Sequence, residues 1–270
     1  YRVVLRWGNP MTQQDGLSQK RIFTFWWPLA MAWLMMSLEG PYVAAVIARL
    51  PAPKPNLAAY GVAFTFAMLL ESPIILIMSA STALVHDRLS LQKLRTFTYA
   101  LNAAITCAMA LLVFTPLFRG LMEGLIGLPP EVAALTRRAV AILLPWPAAI
   151  GYRRFYQGIL IGSGLTRRVA YGTVVRLSTM ASVALATALL LHLEGAIVGA
   201  SALSAGVLME ALASRLMARG AVRHLRATAP ANDPGTMGSS TEPMSYAFIW
   251  RFYYPLALTS VLALGVHPVV

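Results

Sequence analysis

The chain has 270 residues, of which 58% are hydrophobic and 12% charged, with a mean hydropathy of +0.65 and a formal net charge of +12. A soluble domain carries about 45–50% apolar and about 25% charged residues, so this composition excludes an ordinary soluble domain and points to a bilayer. The excess of cations does not call for nucleic acid, because Lys and Arg gather at the ends of apolar runs, where they report membrane topology and contact with anionic lipid.

Residues 1–21 are polar or basic and form an N-terminal lead. Met11, followed by Thr12-Gln13-Gln14-Asp15, reads as the natural start, with residues 1–10 an extraneous extension. Seven apolar runs follow, each long enough to cross a bilayer: Ile22–Ile47, Leu57–Val85, Phe97–Leu117, Thr136–Gly162, Val169–Leu193, Ala196–Met217 and Tyr246–Val270. Pro28 and Pro41 in the first run, Pro73 in the second, and Pro145 and Pro147 in the fourth are expected helix kinks, because proline removes a backbone hydrogen bond. Pro51 to Asn56 makes a stiff turn, and Pro129-Pro130-Glu131 opens the fourth helix with residues suited to a first turn. Gly158/Gly162 and Gly195/Gly199 are GxxxG patterns that let backbones approach in lipid. The polar stretch from Ala227 to Pro243 is the one long linker.

Phe25-Trp26-Trp27-Pro28-Leu29-Ala30 returns as Phe252-Tyr253-Tyr254-Pro255-Leu256-Ala257, and the same offset carries Pro41 onto Pro268. Each copy opens an apolar run, with the intervening runs between them, which is the layout of a duplicated transporter. The expected fold is therefore an all-α polytopic membrane protein. A six-helix transmembrane bundle occupies 22–225, an inter-repeat linker 226–244, and the first helix of a second bundle 245–270. The chain is expected to be the N-terminal part of a longer protein, whose second half completes the cavity and without which it does not transport. With the N-terminus inside, only Arg49, Lys54, Arg119, Arg137 and Arg138 lie outside, against fourteen cations inside, so the N-terminus is expected to be cytoplasmic and the membrane the inner, cytoplasmic one.

Charges inside a span cost about 2.5–3.5 kcal/mol on insertion scales, so each asks for a reason. Glu39 precedes Gly40-Pro41, and Glu71 precedes Ser72-Pro73, placing each carboxylate beside backbone loosened by proline. Both are ion-coupling candidates, for a proton or Na⁺ driven by its gradient. Position 266, where the repeat would place the counterpart of Glu39, is valine. Arg153 and Arg154 follow the Pro145/Pro147 kink, and Arg176 sits at similar depth in the fifth run. Adjacent helical residues point about 100° apart, so one of the pair is expected to face the interior and the other to snorkel. Arginine's fork suits carboxylate or phosphate, which makes Arg153, Arg154 and Arg176, with Tyr156 and Gln157, the substrate-cavity candidates and suggests an anion. Arg–Glu pairs that hold helices together are the competing reading, with Glu210 the available partner.

A lone cysteine, Cys107, allows no disulfide within the chain, and His86, His192, His224 and His267 are never at metal-ligand spacing, so no metal and no cofactor are expected. No phosphate-binding GxxxxGK[ST] is present, which excludes ATP-driven transport within the chain. The carboxylates are single and far apart, so an acid–base set and an enzyme are not expected.

Phe25 to Ala30, Leu144-Pro145-Trp146-Pro147, Arg154 to Ile161 and Gly195 to Gly199 together resemble the multidrug and toxin extrusion family and its wider flippase superfamily, nearest to the progressive-ankylosis-type transporters and their bacterial relatives. The resemblance implies two six-helix bundles around a central cavity, alternating access, and a first-helix carboxylate used for ion coupling. It predicts a secondary transporter that exports a small organic substrate, with anionic character suggested by the arginines. The alternative within the same fold is a flippase for a lipid-linked saccharide precursor.

Overall fold

The computed structural model describes residues 19–228 and 245–265. Met11 and the rest of the N-terminal lead up to residue 18, the linker over 229–244, and Val266, His267 and Pro268 lie outside the described residues. Everything regular that is described is helical: α1 (Gln19–Ser37), α2 (Glu39–Ile47), α3 (Pro53–Glu71), α4 (Ile77–Leu84), α5 (Arg88–Phe114), α6 (Leu117–Arg119, continuing as a π-helical turn over Gly120–Leu125), α7 (Pro130–Ile142), α8 (Trp146–Gly162), α9 (Thr166–Leu189), α10 (Gly195–Ala227) and α11 (Tyr246–Gly265). Among the described residues, five stretches are long and apolar enough to cross a membrane: Ile22–Ile47, Arg88–Phe114, Pro130–Gly162, Thr166–Leu189 and Gly195–Ala227.

The helix ends follow local chemistry. The first pass divides at Leu38 into α1 and α2, and Pro41, in the first turn of α2, has no N–H to offer the Ser37 carbonyl. The second expected pass, Leu57–Val85, is two helices, because Ser72 to Leu76 form a turn around Pro73. Pro145 caps α8 and Pro147 occupies its first turn, so α7 and α8 also meet at a break. Pro28 sits inside an uninterrupted α1, as its repeat counterpart Pro255 does in α11. The third pass starts earlier than its hydropathy suggests. Asp87 accepts from Ser90 N at 2.7 Å, and Ser90 Oγ closes the reciprocal capping bond at 3.0 Å, which begins α5 at Arg88. At the other end of the bundle, α10 runs on to Ala227, so the first residues of the expected linker are helical.

The buried core is centred on α8, thirteen of whose seventeen residues are buried. It is packed against α3, α4, α5, α9 and α10, leaving no side free for lipid. Glycine makes this possible. A Cβ on Gly158 would lie 2.5 Å from the Met78 carbonyl oxygen and 2.5 Å from Ser81 Cβ on α4. Gly195 and Gly199 seat α10 in the same way, within 2.8 Å of Ile47 and 2.7 Å of Tyr60. Both GxxxG patterns are thus packing devices. Gly158→Ala is expected to destabilise the bundle by about 1–3 kcal/mol, because backbone and not a flexible tip must move. The check is thermal unfolding in detergent micelles, in which Gly61→Ala, at a glycine whose Cβ would meet nothing within 4 Å, is the neutral control.

Candidate functional site

Charged side chains from four helices meet at the centre of this packing. On α8, Arg153 and Gln157 are four residues apart and share a face. Both reach Glu210 on α10: Arg153 Nη1 pairs with Oε2, and Gln157 Nε2 donates to Oε1 at 3.0 Å. From α9, Arg176 Nη2 donates to Glu39 Oε2 on α2 at 2.5 Å, while its Nη1 lies 3.6 Å from Glu210 Oε2. The result is a chain, Glu39–Arg176–Glu210–Arg153, in which every member is at least nine-tenths buried. Small residues let it form. Gly206 on α10 would place a Cβ 3.1 Å from the Arg176 carbonyl oxygen, and Gly172 on α9 would place one 3.5 Å from Glu210 Cγ.

A second cluster lies beside the first. Arg154 points from α8 toward α4 and α1, where it donates to Met78 Sδ at 3.7 Å and lies over the Trp33 ring at 5.9 Å. It has no carboxylate partner at ion-pair distance among the described residues, although Glu71 is within electrostatic reach. Glu71 ends α3 at the Pro73 break, is 4% exposed, and its Oε2 has no hydrogen-bond partner. Tyr253 of α11 donates to the Pro73 carbonyl in that same break, so the first helix of the second repeat touches the backbone beside Glu71.

The structure therefore brings Glu39, Glu71, Arg153, Arg154, Arg176 and Gln157 into one buried region and leaves Tyr156 outside it. Tyr156 packs in an aromatic group, 4.9 Å from Tyr152 and 5.2 Å from Phe155. Two expectations are corrected. Neither arginine of the Arg153/Arg154 pair snorkels, because α8 has no lipid-facing side: Arg153 is 1% and Arg154 7% exposed. The carboxylates are not far apart either, since Glu39 and Glu210 share Arg176. Trp33 and Met78 gave no sequence signal, being an aromatic and a methionine in apolar runs like many others. Among the described residues, no group of His, Cys, Asp and Glu could hold a metal ion.

A family model, MatE, matches residues 28–193, well over half of the chain, and that stretch contains all of these residues except Glu210. The chain belongs to the MatE family. No curated protein and no solved structure matches it. Membership, together with the apolar helices, makes the chain a multi-pass membrane transporter. The MatE match spans the first, second, fourth and fifth passes that contribute Glu39, Glu71, the α8 arginines and Arg176, so these buried charges, Glu210 apart, lie within the matched stretch.

Proposed function

We propose that this MatE protein is a secondary transporter that moves a small organic anion by alternating access, coupled to a proton or Na⁺ gradient through Glu39 and Glu71. The N-terminus is cytoplasmic and the membrane is the inner one, on the positive-inside distribution of Lys and Arg. The observation that carries the reading is the buried arrangement of three arginines and three glutamates, in which, among the described residues, Arg154 has no ion-pair partner and Glu71 has an oxygen without a hydrogen bond. Buried charges in a membrane are costly, and those that are not fully paired mark ion and substrate pathways.

The pairing supports one sign for the coupling. A proton or Na⁺ on Glu71 cancels the charge that opposes Arg154, and one on Glu39 releases the Nη2 of Arg176. Each freed guanidinium offers a planar fork to a carboxylate or phosphate. Cation and anion therefore load together, with reciprocal enhancement of affinity. This is the sign of cotransport; net export follows when the internal anion is concentrated enough to outweigh the cation gradient. The site can carry two forks toward a small anion, which suits a dicarboxylate or a phosphate ester better than a saccharide pyrophosphate on a lipid.

The test uses the full-length protein in proteoliposomes, with a panel of small organic anions and a panel of lipophilic cations under imposed proton and Na⁺ gradients. Gradient-driven accumulation of an anion is expected. In Glu39→Gln that accumulation is expected to disappear while downhill anion exchange persists, since the substitution mimics the loaded carboxylate. Movement of lipophilic cations alone would overturn the anion reading, and accumulation unchanged in Glu39→Gln would remove Glu39 from the coupling.

A further inference from the structure

Away from the buried charges, an open cavity of about 360 Å³ lies where α5 begins and α10 ends, lined by Arg88, Leu91, Gln92, Arg95 and Arg226. Positions 88, 91, 92 and 95 follow the i, i+3, i+4, i+7 spacing of one helix face. α5 thus presents two arginines whose backbone positions are about 10 Å apart along its axis, with Leu91 and Gln92 between them. Arg226, in the last turn of α10, completes the ring. Among the described residues, none of these three arginines has an ion pair or a hydrogen bond. Asp87, the neighbouring carboxylate, accepts the capping bonds from Ser90 N and Oγ at 2.7 and 2.8 Å.

Three cations around one cavity repel one another, and Arg88 stands at the first position of a 27-residue helix, the end at which the helix dipole favours an anion. An anion in the cavity relieves both costs. Guanidinium forks match phosphate oxygens in pairs, and three around one space suit a phosphate better than a carboxylate. Depth then selects the source. The apolar run of α5 opens at Phe97, so Arg95 and Arg88 lie about 3 and about 13 Å beyond its edge at 1.5 Å per residue. The polar layer on each side of the hydrocarbon is roughly 5–8 Å thick, so Arg95 lies within the headgroup layer and Arg88 on its aqueous side, from which a long side chain reaches back to a headgroup. Basic pockets between helices at this level hold anionic headgroups.

We propose that Arg88, Arg95 and Arg226 form a binding site for the phosphodiester headgroup of an anionic phospholipid, in the leaflet that the positive-inside reading makes cytoplasmic. The occupant bridges the first turn of α5 and the last turn of α10, tying together two helices that both pack against α8.

The test is lipid retention measured by native mass spectrometry after reconstituting the full-length protein in nanodiscs of phosphatidylcholine doped with phosphatidylglycerol. Both leaflets of a nanodisc are identical, so the result is independent of orientation and of transport. Wild type is expected to retain phosphatidylglycerol selectively. The R88Q/R95Q/R226Q variant is expected to weaken that retention by about tenfold or more, given three lost cations. A control with the same charge change on other exposed arginines, R167Q/R219Q/R251Q, is expected to stay within about twofold of wild type. If the triple variant fails to fold, R95Q alone is judged against R219Q, with about fivefold weakening expected for the one lost cation. Equal weakening by pocket and control variants would reduce the effect to diffuse surface charge and overturn the site. Displacement of the lipid by inorganic phosphate, with phosphate held as tightly in pure phosphatidylcholine, would overturn the lipid assignment.

Discussion

Glu210→Ala is expected to destabilise the bundle by about 3–5 kcal/mol, the largest loss of any single substitution among the buried charges. Glu210 is fully buried and receives Arg153, Gln157 and, at longer range, Arg176. Its removal leaves Arg153, itself 1% exposed, without an anion, and an uncompensated buried charge is what makes a broken pair costly. The double variant Arg153→Met/Glu210→Met is expected to recover most of the loss, because removing both partners removes the desolvation cost along with the attraction. Thermal unfolding of Arg153→Met, Glu210→Met and the double variant in one detergent reads the coupling directly. A double variant no more stable than Glu210→Ala would show that Glu210 acts through packing and not through Arg153.

Arg154→Gln is expected to behave in the opposite way from Arg153→Gln, although the two residues are adjacent. Arg154 touches Met78 Sδ and the Trp33 ring and, among the described residues, has no ion pair to break, so its loss should leave unfolding within about 1 kcal/mol of wild type. Anion transport, however, should fall by about 10–150-fold, the equivalent of the 1.5–3 kcal/mol that a hydrogen bond to a charged group contributes. Arg153→Gln should lose stability first. Arg154→Lys separates charge from fork: it is expected to recover only part of the transport, since an ammonium cannot present two parallel donors. The measurement is concentration-dependent anion uptake in proteoliposomes beside unfolding of the same preparations. Wild-type uptake by Arg154→Gln would exclude the guanidinium from the substrate path.

Much of the architecture was legible in the sequence because membrane helices are written in composition. The first, third, fourth, fifth and sixth runs coincide with the five long apolar stretches, with boundaries displaced where polar residues extend a helix past the hydrocarbon, as at Arg88 in α5 and Ala227 in α10. Hydropathy read the second run as continuous. Pro73 was visible as a kink, but whether a proline bends a helix, as in the break at Ser72 to Leu76, or is carried inside it, as Pro28 is in α1, depends on what packs around it. The individual charged residues were legible as well, since a charge in an apolar run stands out. Their partnerships were not. Glu39 and Arg176 are 137 residues apart and Arg153 and Glu210 are 57 apart, and no periodicity links positions on different helices. The expectation that one of Arg153 and Arg154 must snorkel used correct helical geometry but assumed a lipid-facing side, which α8 does not have.

The sequence separation of those pairs also sets a schedule for biogenesis. Chains grow at about 5–20 residues per second, so Arg153 emerges roughly 3–11 seconds before Glu210, 57 residues later. During that interval α8 carries two arginines into the membrane, each costing about 2.5–3.5 kcal/mol on insertion scales, with Glu210 not yet made. Arg176 follows with one waiting partner, Glu39, which has itself stood unpaired since the first pass was laid down. The fourth pass is therefore expected to be held at the translocon, or in a half-inserted state, until the sixth delivers the carboxylate that lets α8, α9 and α10 enter the bilayer as a group.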